Sequence, residues 1–159
     1  DIVNTLPKAY ENGKDIAARE IMLNASMTAG LSFTNVSLGI VHSMAHTLGG
    51  FFHVSHGLGD AIILPYIIDF NSGNPQAKAV YDRLAADLGG TNLTEIVRIL
   101  NKKIGIPSCV KEAIKDEAAY ASKIEEMAAS AKADGCTKTN PIIPTIPQFV
   151  ELFKKVYQG

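Results

Sequence analysis

Several features that would narrow the function are missing from this chain. No basic stretch interleaves with aromatic residues and the net charge is −1, which argues against nucleic acid as a partner. The two cysteines, Cys109 and Cys136, lie far apart and form no CxxC pair. They suit a reducing compartment better than a disulfide framework, so a cytoplasmic location is expected. The most apolar run, Ala61 to Ile68, is broken by Pro65 and is too short to span a bilayer. No signal peptide is visible, and no membrane partner is expected. No internal repeat or low-complexity segment stands out, and no stretch reads convincingly as a strand. Histidine is absent from all but one window: His42, His46, His53 and His56 are the four that the chain contains.

What is present describes a globular chain. At 159 residues, 47% hydrophobic and 19% charged, it has the length of one domain and enough apolar content for a core. Apolar spacing and turn residues predict helices throughout. The first runs from Asp1 to Asn12, ended by Gly13. The second, Lys14 to Leu31, has Ala25, Ser26, Ala29 and Gly30 along it and is expected to be buried on most sides. Ser37 is expected to cap a third helix, Leu38 to about Gly50, with Gly49-Gly50 weakening or ending it. After a short link, an apolar helix runs from Asp60 to Phe70, and Asn71 to Pro75 is a break. Further helices are expected from about Gln76 to Leu88, from Leu93 to Lys103 capped by Thr91 or Asn92, and from Val110 to Ile114 capped by Ser108. Glu117 to Lys132 is amphipathic, Gly135 to Pro147 irregular, and Phe149 to Tyr157 a terminal helix. The apolar part before Asn71 is expected to form a buried layer, and the polar part after Pro75 its cover. The first residue is aspartate rather than methionine, as expected of a processed protein or a piece of a longer one.

The histidine window carries the chemistry. His42 and His46 are one helical turn apart and share a face. Imidazole is the common metal ligand and the usual proton carrier near neutral pH. The residues between them are Ser43, Met44 and Ala45, so the glutamate of an HExxH zinc protease is missing. His56 lies beyond Gly49-Gly50, and a turn of that length can bring it back near His42, with Gly57 and Gly59 permitting close approach. His53 reads as an ordinary link residue. Two or three histidines leave a metal shell short, because such a site usually takes three or four protein ligands. Asp60 is near in sequence, but its expected place is the start of a helix, where it would serve as a cap.

The run GIVHSMAHTLGGFFHVSHGLGDAIILPYIIDFN resembles the second signature of the iron-containing (group III) alcohol dehydrogenases. That family has HxMAHxLG, then a PHG-type element, then NAxLLPxVxxFN. Ala29 to Phe33 resembles its AGxxF segment, and Asp134 to Thr137 with Asn140-Pro141 its DxCxxxNP loop. The resemblance implies an all-α, bundle-like metal-binding domain over residues 1–159, like the C-terminal domain of the dehydroquinate synthase-like fold. It implies a nucleotide-binding domain and a first metal-ligand helix outside this sequence. No GGGS-type dinucleotide loop and no strand-rich half is present.

By the same resemblance, His42 and His56 match two of the iron ligands. His46 matches the histidine that faces nicotinamide and substrate, and is both the catalytic and the cofactor-contacting candidate. Phe33 and Cys136 match positions near the alcohol pocket. The implied cofactors are Fe²⁺, or Zn²⁺, and NAD or NADP held mainly by the missing domain. The implied partners are a small alcohol or aldehyde and further copies of the chain. With two of four expected ligands, weak or no iron binding and no catalysis are expected of this chain alone. Two departures stand out: Ser55 replaces the usual proline, and Gly59-Asp60-Ala61 replaces the asparagine-alanine step. The alternatives are a zinc polyol dehydrogenase or dehydroquinate-synthase-like relative, for which a different histidine spacing is expected, and a non-catalytic helical metal-binding module.

Overall fold

A computed structural model describes residues 1–159 and contains helices and turns without a strand, as expected. Nine α-helices follow in order: α1 (Ile2–Glu11), α2 (Ile16–Val36), α3 (Ile40–Phe52), α4 (His56–Asn71), α5 (Pro75–Asp87), α6 (Leu93–Lys103), α7 (Val110–Ala113), α8 (Glu117–Ala133) and α9 (Ile146–Gln158). A 3-10 helix, Gly135–Thr139, interrupts the segment expected to be irregular. No helix is long and apolar enough to cross a membrane.

Local chemistry sets most helix starts. A side-chain oxygen at the N-cap satisfies an N–H group that has no partner within the helix. Asp15 accepts from the Ala18 amide, Asn74 from Gln76 and Ala77, Asn92 from Glu95, and Asp116 from Ala119. Thr145 and Gln148 form a reciprocal capping box, so α9 begins three residues before the apolar spacing suggested. Three expected caps are corrected. Ser37 ends α2 in a left-handed conformation instead of starting α3, whose N-cap is Gly39. Cys109, not Ser108, precedes α7. Asp60 sits inside α4, which begins at His56 behind Ser55. Gly49-Gly50 does not stop α3 either; the helix ends at Phe52, and His53 takes the left-handed position that follows.

The core lies between α3, α4, α8 and α9. Met44, Leu48, Ile63, Met127, Phe149 and Phe153 are fully buried there. Each contributes roughly 1.5–3 kcal/mol of burial free energy. The expected division into a buried layer before Asn71 and a cover after it is therefore only half right, because α8 and α9 supply as much core as α3 and α4. The expectation for α2 is overturned. Of its residues only Ala18 is buried, while Leu23, Met27 and Leu31 are 71%, 61% and 65% exposed. Its main packing partner is α1, itself largely exposed, so an apolar composition here is not matched by a covering element within the chain.

Two polar devices hold the central helices in register. Pro65, inside α4, has no N–H to give the Ala61 carbonyl, and Asn101 Nδ2 on α6 donates to that carbonyl at 2.7 Å. Asn140, buried in the loop after the 3-10 helix, accepts from the Ile40 amide at 3.2 Å and exchanges hydrogen bonds with Asn71. It thereby satisfies the first turn of α3 and ties it to the last residue of α4. Glycine is required at position 39, since a Cβ there would meet Asn140 Oδ1 at 2.7 Å.

Candidate functional site

The histidines come together where α3 and α4 cross. Gly59 makes this possible: a Cβ at that position would stand 3.3 Å from the Ala45 Cβ, tighter than ordinary contact. Ala45 and Gly59 are both buried, so two nearly bare backbones meet, and the flanking side chains on each helix converge. Gly57, also expected to matter for close approach, has open space around it.

His42 Nδ1 lies 3.2 Å from His56 Nε2. The His46 ring stacks on His56 with centroids 5.2 Å apart and planes 18° from parallel. His42, His46 and His56 present ligand atoms within 4.8 Å of one another. His53 points elsewhere in function: it is exposed and closes α3, so it stays an ordinary residue. Cys136 also joins the site, with Sγ within 4.8 Å of ligand atoms of His46 and Asp134. Phe33 remains on the exposed α2, 44% accessible.

Two acids complete the picture. Asp134, at the end of α8, accepts a 2.8 Å hydrogen bond from His46 Nδ1 and, through its other oxygen, a 2.7 Å bond from the Cys136 amide. Burial raises the Asp134 carboxyl, but these hydrogen bonds outweigh it and hold the group below the usual carboxylate range. An ionised carboxylate only accepts, so Nδ1 of His46 carries the hydrogen and a neutral His46 has its lone pair at Nε2. Burial and the Asp134 hydrogen bond push the Cys136 thiol up, which keeps it protonated at neutral pH.

Asp60 faces the other side of the cluster. Its Oδ2 is 3.1 Å from His56 Nε2 and 3.7 Å from His42 Nδ1. Its Oδ1 is buried without a hydrogen-bond partner. Burial holds Asp60 above the usual carboxylate range against the pull of the three imidazoles. Burial likewise lowers His42; the Asp60 carboxylate opposes that shift and the neighbouring imidazoles reinforce it. A neutral imidazole is the form that binds metal. Converging nitrogen donors beside a carboxylate with an orphaned oxygen suit a first-row divalent cation, Fe²⁺ included.

Sequence reasoning missed both acids as site residues. Asp60 had a legible signal, because HxxxD at 56–60 repeats the one-turn spacing of HxxxH at 42–46. Asp134 had none of that kind: it lies 88 residues from His46, and only the fold brings them together. A separate cavity of about 620 Å³ lies between α4, α6 and the turn into α7, lined by Tyr66, Arg98, Lys102 and Glu112 among others. It contains none of the histidines.

Comparison with known proteins identifies the family. Residues 1–157 match the model of the Fe-containing alcohol dehydrogenase family, C-terminal. Alcohol dehydrogenase 4 of Saccharomyces cerevisiae is 37% identical over 165 residues, covering 99% of this chain and 42% of the yeast protein. The NADPH-dependent butanol dehydrogenase of Clostridium saccharobutylicum is 38% identical over 161 residues, covering 96% of this chain and 40% of that enzyme. The iron-containing alcohol dehydrogenase of Thermococcus thioreducens superposes with a TM-score of 0.86 at 33% identity, over 99% of this chain and 43% of that structure. The chain thus spans about two-fifths of the length of these relatives. With the HxMAH helix, the returning His56 and the family match over nearly every residue, the chain belongs to the Fe-containing alcohol dehydrogenase family and corresponds to its C-terminal, helical part.

Proposed function

We propose that this chain is the metal-bearing helical part of a dehydrogenase that interconverts a small alcohol and its aldehyde or ketone with a nicotinamide cofactor. The observation that carries it is the convergence of His42, His46 and His56 on two helices whose sequences match the family signature. The yeast and clostridial relatives are named as alcohol and NADPH-dependent butanol dehydrogenases, which supports the substrate class and the cofactor type. No glycine-rich dinucleotide loop lies in this sequence, so nicotinamide binding is assigned to the part of the enzyme that this chain does not span. The protein is assigned to the cytoplasm on its two free cysteines, and its exposed apolar α2 favours self-association.

His42 and His56 would hold the metal, Fe²⁺ or Zn²⁺, and His46, which stacks on His56, would work on the substrate. A metal in this position supplies Lewis acidity, which acidifies an alcohol hydroxyl and polarises a carbonyl. His46 is anchored at Nδ1 by Asp134 and leaves Nε2 free, so it can take the hydroxyl proton in oxidation and return it in reduction. Asp134 fixes the tautomer and ring orientation for that transfer. Cys136, kept as a neutral thiol beside His46, would form part of the alcohol pocket wall; the role of Phe33 near that pocket rests on the family resemblance, since it lies on the exposed α2.

The test is His42→Ala in the enzyme that carries this domain together with its nucleotide-binding half. Metal content and alcohol oxidation are expected to fall together, by at least a hundredfold in kcat/KM. Full activity with full metal content in that variant would refute the ligand assignment.

A further inference from the structure

Two histidines make a poor metal site, and the expectation of weak or no binding by this chain rests on counting only two. The structure adds a third donor. His42 Nδ1, His56 Nε2 and Asp60 Oδ2 form a triangle with sides of 3.2, 3.1 and 3.7 Å. Two ligand atoms bonded to one cation at about 2.1 Å lie roughly 3.0–3.5 Å apart for angles between octahedral and tetrahedral. The His42–His56 and His56–Asp60 separations fall within that range, and the His42–Asp60 separation, 3.7 Å, is slightly wider.

Hydrogen bonding does not account for the triangle equally well. Asp60 Oδ1 is buried and has no partner, an omission that buried carboxylates seldom show. His46 is the rival third ligand, with a ligand atom within 4.8 Å of those of the other two histidines, but its Nδ1 is engaged by Asp134 and its ring stacks on His56. Asp60 is also where this chain departs from the asparagine-alanine step of the family signature it otherwise resembles. An anionic oxygen replaces a neutral amide one turn after a ligand histidine, on the same helix face.

We propose that Asp60 is a metal ligand, which with His42 and His56 gives this chain a two-imidazole, one-carboxylate site for a first-row divalent cation. The proposal rests on the assignment of the two histidines as metal ligands. Two nitrogens and one oxygen leave the remaining positions of the ion for ligands from the part of the enzyme that this chain does not span and for a substrate oxygen.

Anaerobic titration of the 159-residue chain with Co²⁺, followed by its visible absorption and by calorimetry, tests this. The wild-type chain should take up one ion. Asp60→Asn, nearly the same in shape, should bind at least tenfold more weakly, while His46→Ala stays within about threefold of wild type. Far-UV circular dichroism of each variant verifies that it is folded. A crystal structure of the Co²⁺-loaded chain should place Asp60 Oδ2 at bonding distance, about 2.0–2.2 Å. The proposal is overturned if Asp60→Asn binds as tightly as wild type, if the wild-type chain takes up no ion, or if the loaded structure shows Asp60 only accepting from a histidine N–H. If His42→Ala loses the ion while Asp60→Asn keeps it, this inference fails and the histidine assignment stands. Unchanged binding in His42→Ala removes the histidine assignment itself.

Discussion

Helices α2 and α3 are close in composition and opposite in fate. Both are rich in apolar and small residues, and both have almost no charge beyond the first turns of α2. Four residues of α3, Ile40, Met44, Ala45 and Leu48, are at most 1% exposed, and the helix packs against α4 and α8. Leu23, Met27, Leu31 and Val36 of α2 stand out in the open. Apolar composition states that a helix gains free energy from being covered; it does not state which element covers it. For α3 the cover is inside the chain. For α2 no element of the chain supplies it beyond the partial cover of α1.

The contrast can be broken by substitution. Met44→Ala, in the fully buried stretch of α3, should cost about 2–5 kcal/mol in chemical denaturation, since it leaves a cavity that the surroundings only partly fill. A cost below 1 kcal/mol would mean that α3 is not packed as described. Asn140→Ala should be next, at about 1–3 kcal/mol, because it leaves the Ile40 amide and the Asn71 side chain without partners in a buried place. Leu23→Ala on α2 should stay within about 0.5 kcal/mol in the isolated chain. A loss as large as that of Met44→Ala would show that α2 is already covered, by self-association, and a dependence on protein concentration would identify it.

The smallest effect sharpens the comparison at the surface of the packed half. Glu112 accepts from the Ser108 hydroxyl and amide, and these hydrogen bonds hold its carboxyl below the ordinary value of 4.5. A depressed folded-state pKa means that its contribution is present above that ordinary value and lost as pH falls through the lower one. The melting temperature of Glu112→Gln should therefore differ slightly from wild type at neutral pH, with the difference closing in strong acid. A gap that widens on acidification would contradict the assignment.

Legibility from sequence divides along the same line. Periodicity and turn residues were enough for the number and type of the elements, because helix formation is governed by residues three and four apart. Ile124, Met127 and Ala131 are buried on α8, the helix expected to be amphipathic. Boundaries were less secure where two local signals competed. Ser37 has a side chain suited to starting a helix, yet the backbone turns there to end one, and the close fit of Gly39 against Asn140 decides where α3 begins. The helix expected through Pro65 is observed, and the Asn101 amide that compensates for the missing N–H comes from another helix.

The functional cluster shows the same division. The one-turn spacing of His42 and His46, the expected return of His56 and the absence of histidine elsewhere were enough to single out the cluster that the fold brings together and the family to which the chain belongs. The partners of those histidines were not legible in this way. Asp60 was taken for a cap because its place within α4 depends on a helix start at His56, which local pattern alone left open. Asp134 reaches His46 only because α8 packs along α3, a contact made by side chains far apart in sequence. Sequence determined which histidines share a helix face, since residue type and helical spacing are local. Tertiary structure decided which acid serves which imidazole, because that depends on how closely two helices approach at Ala45 and Gly59.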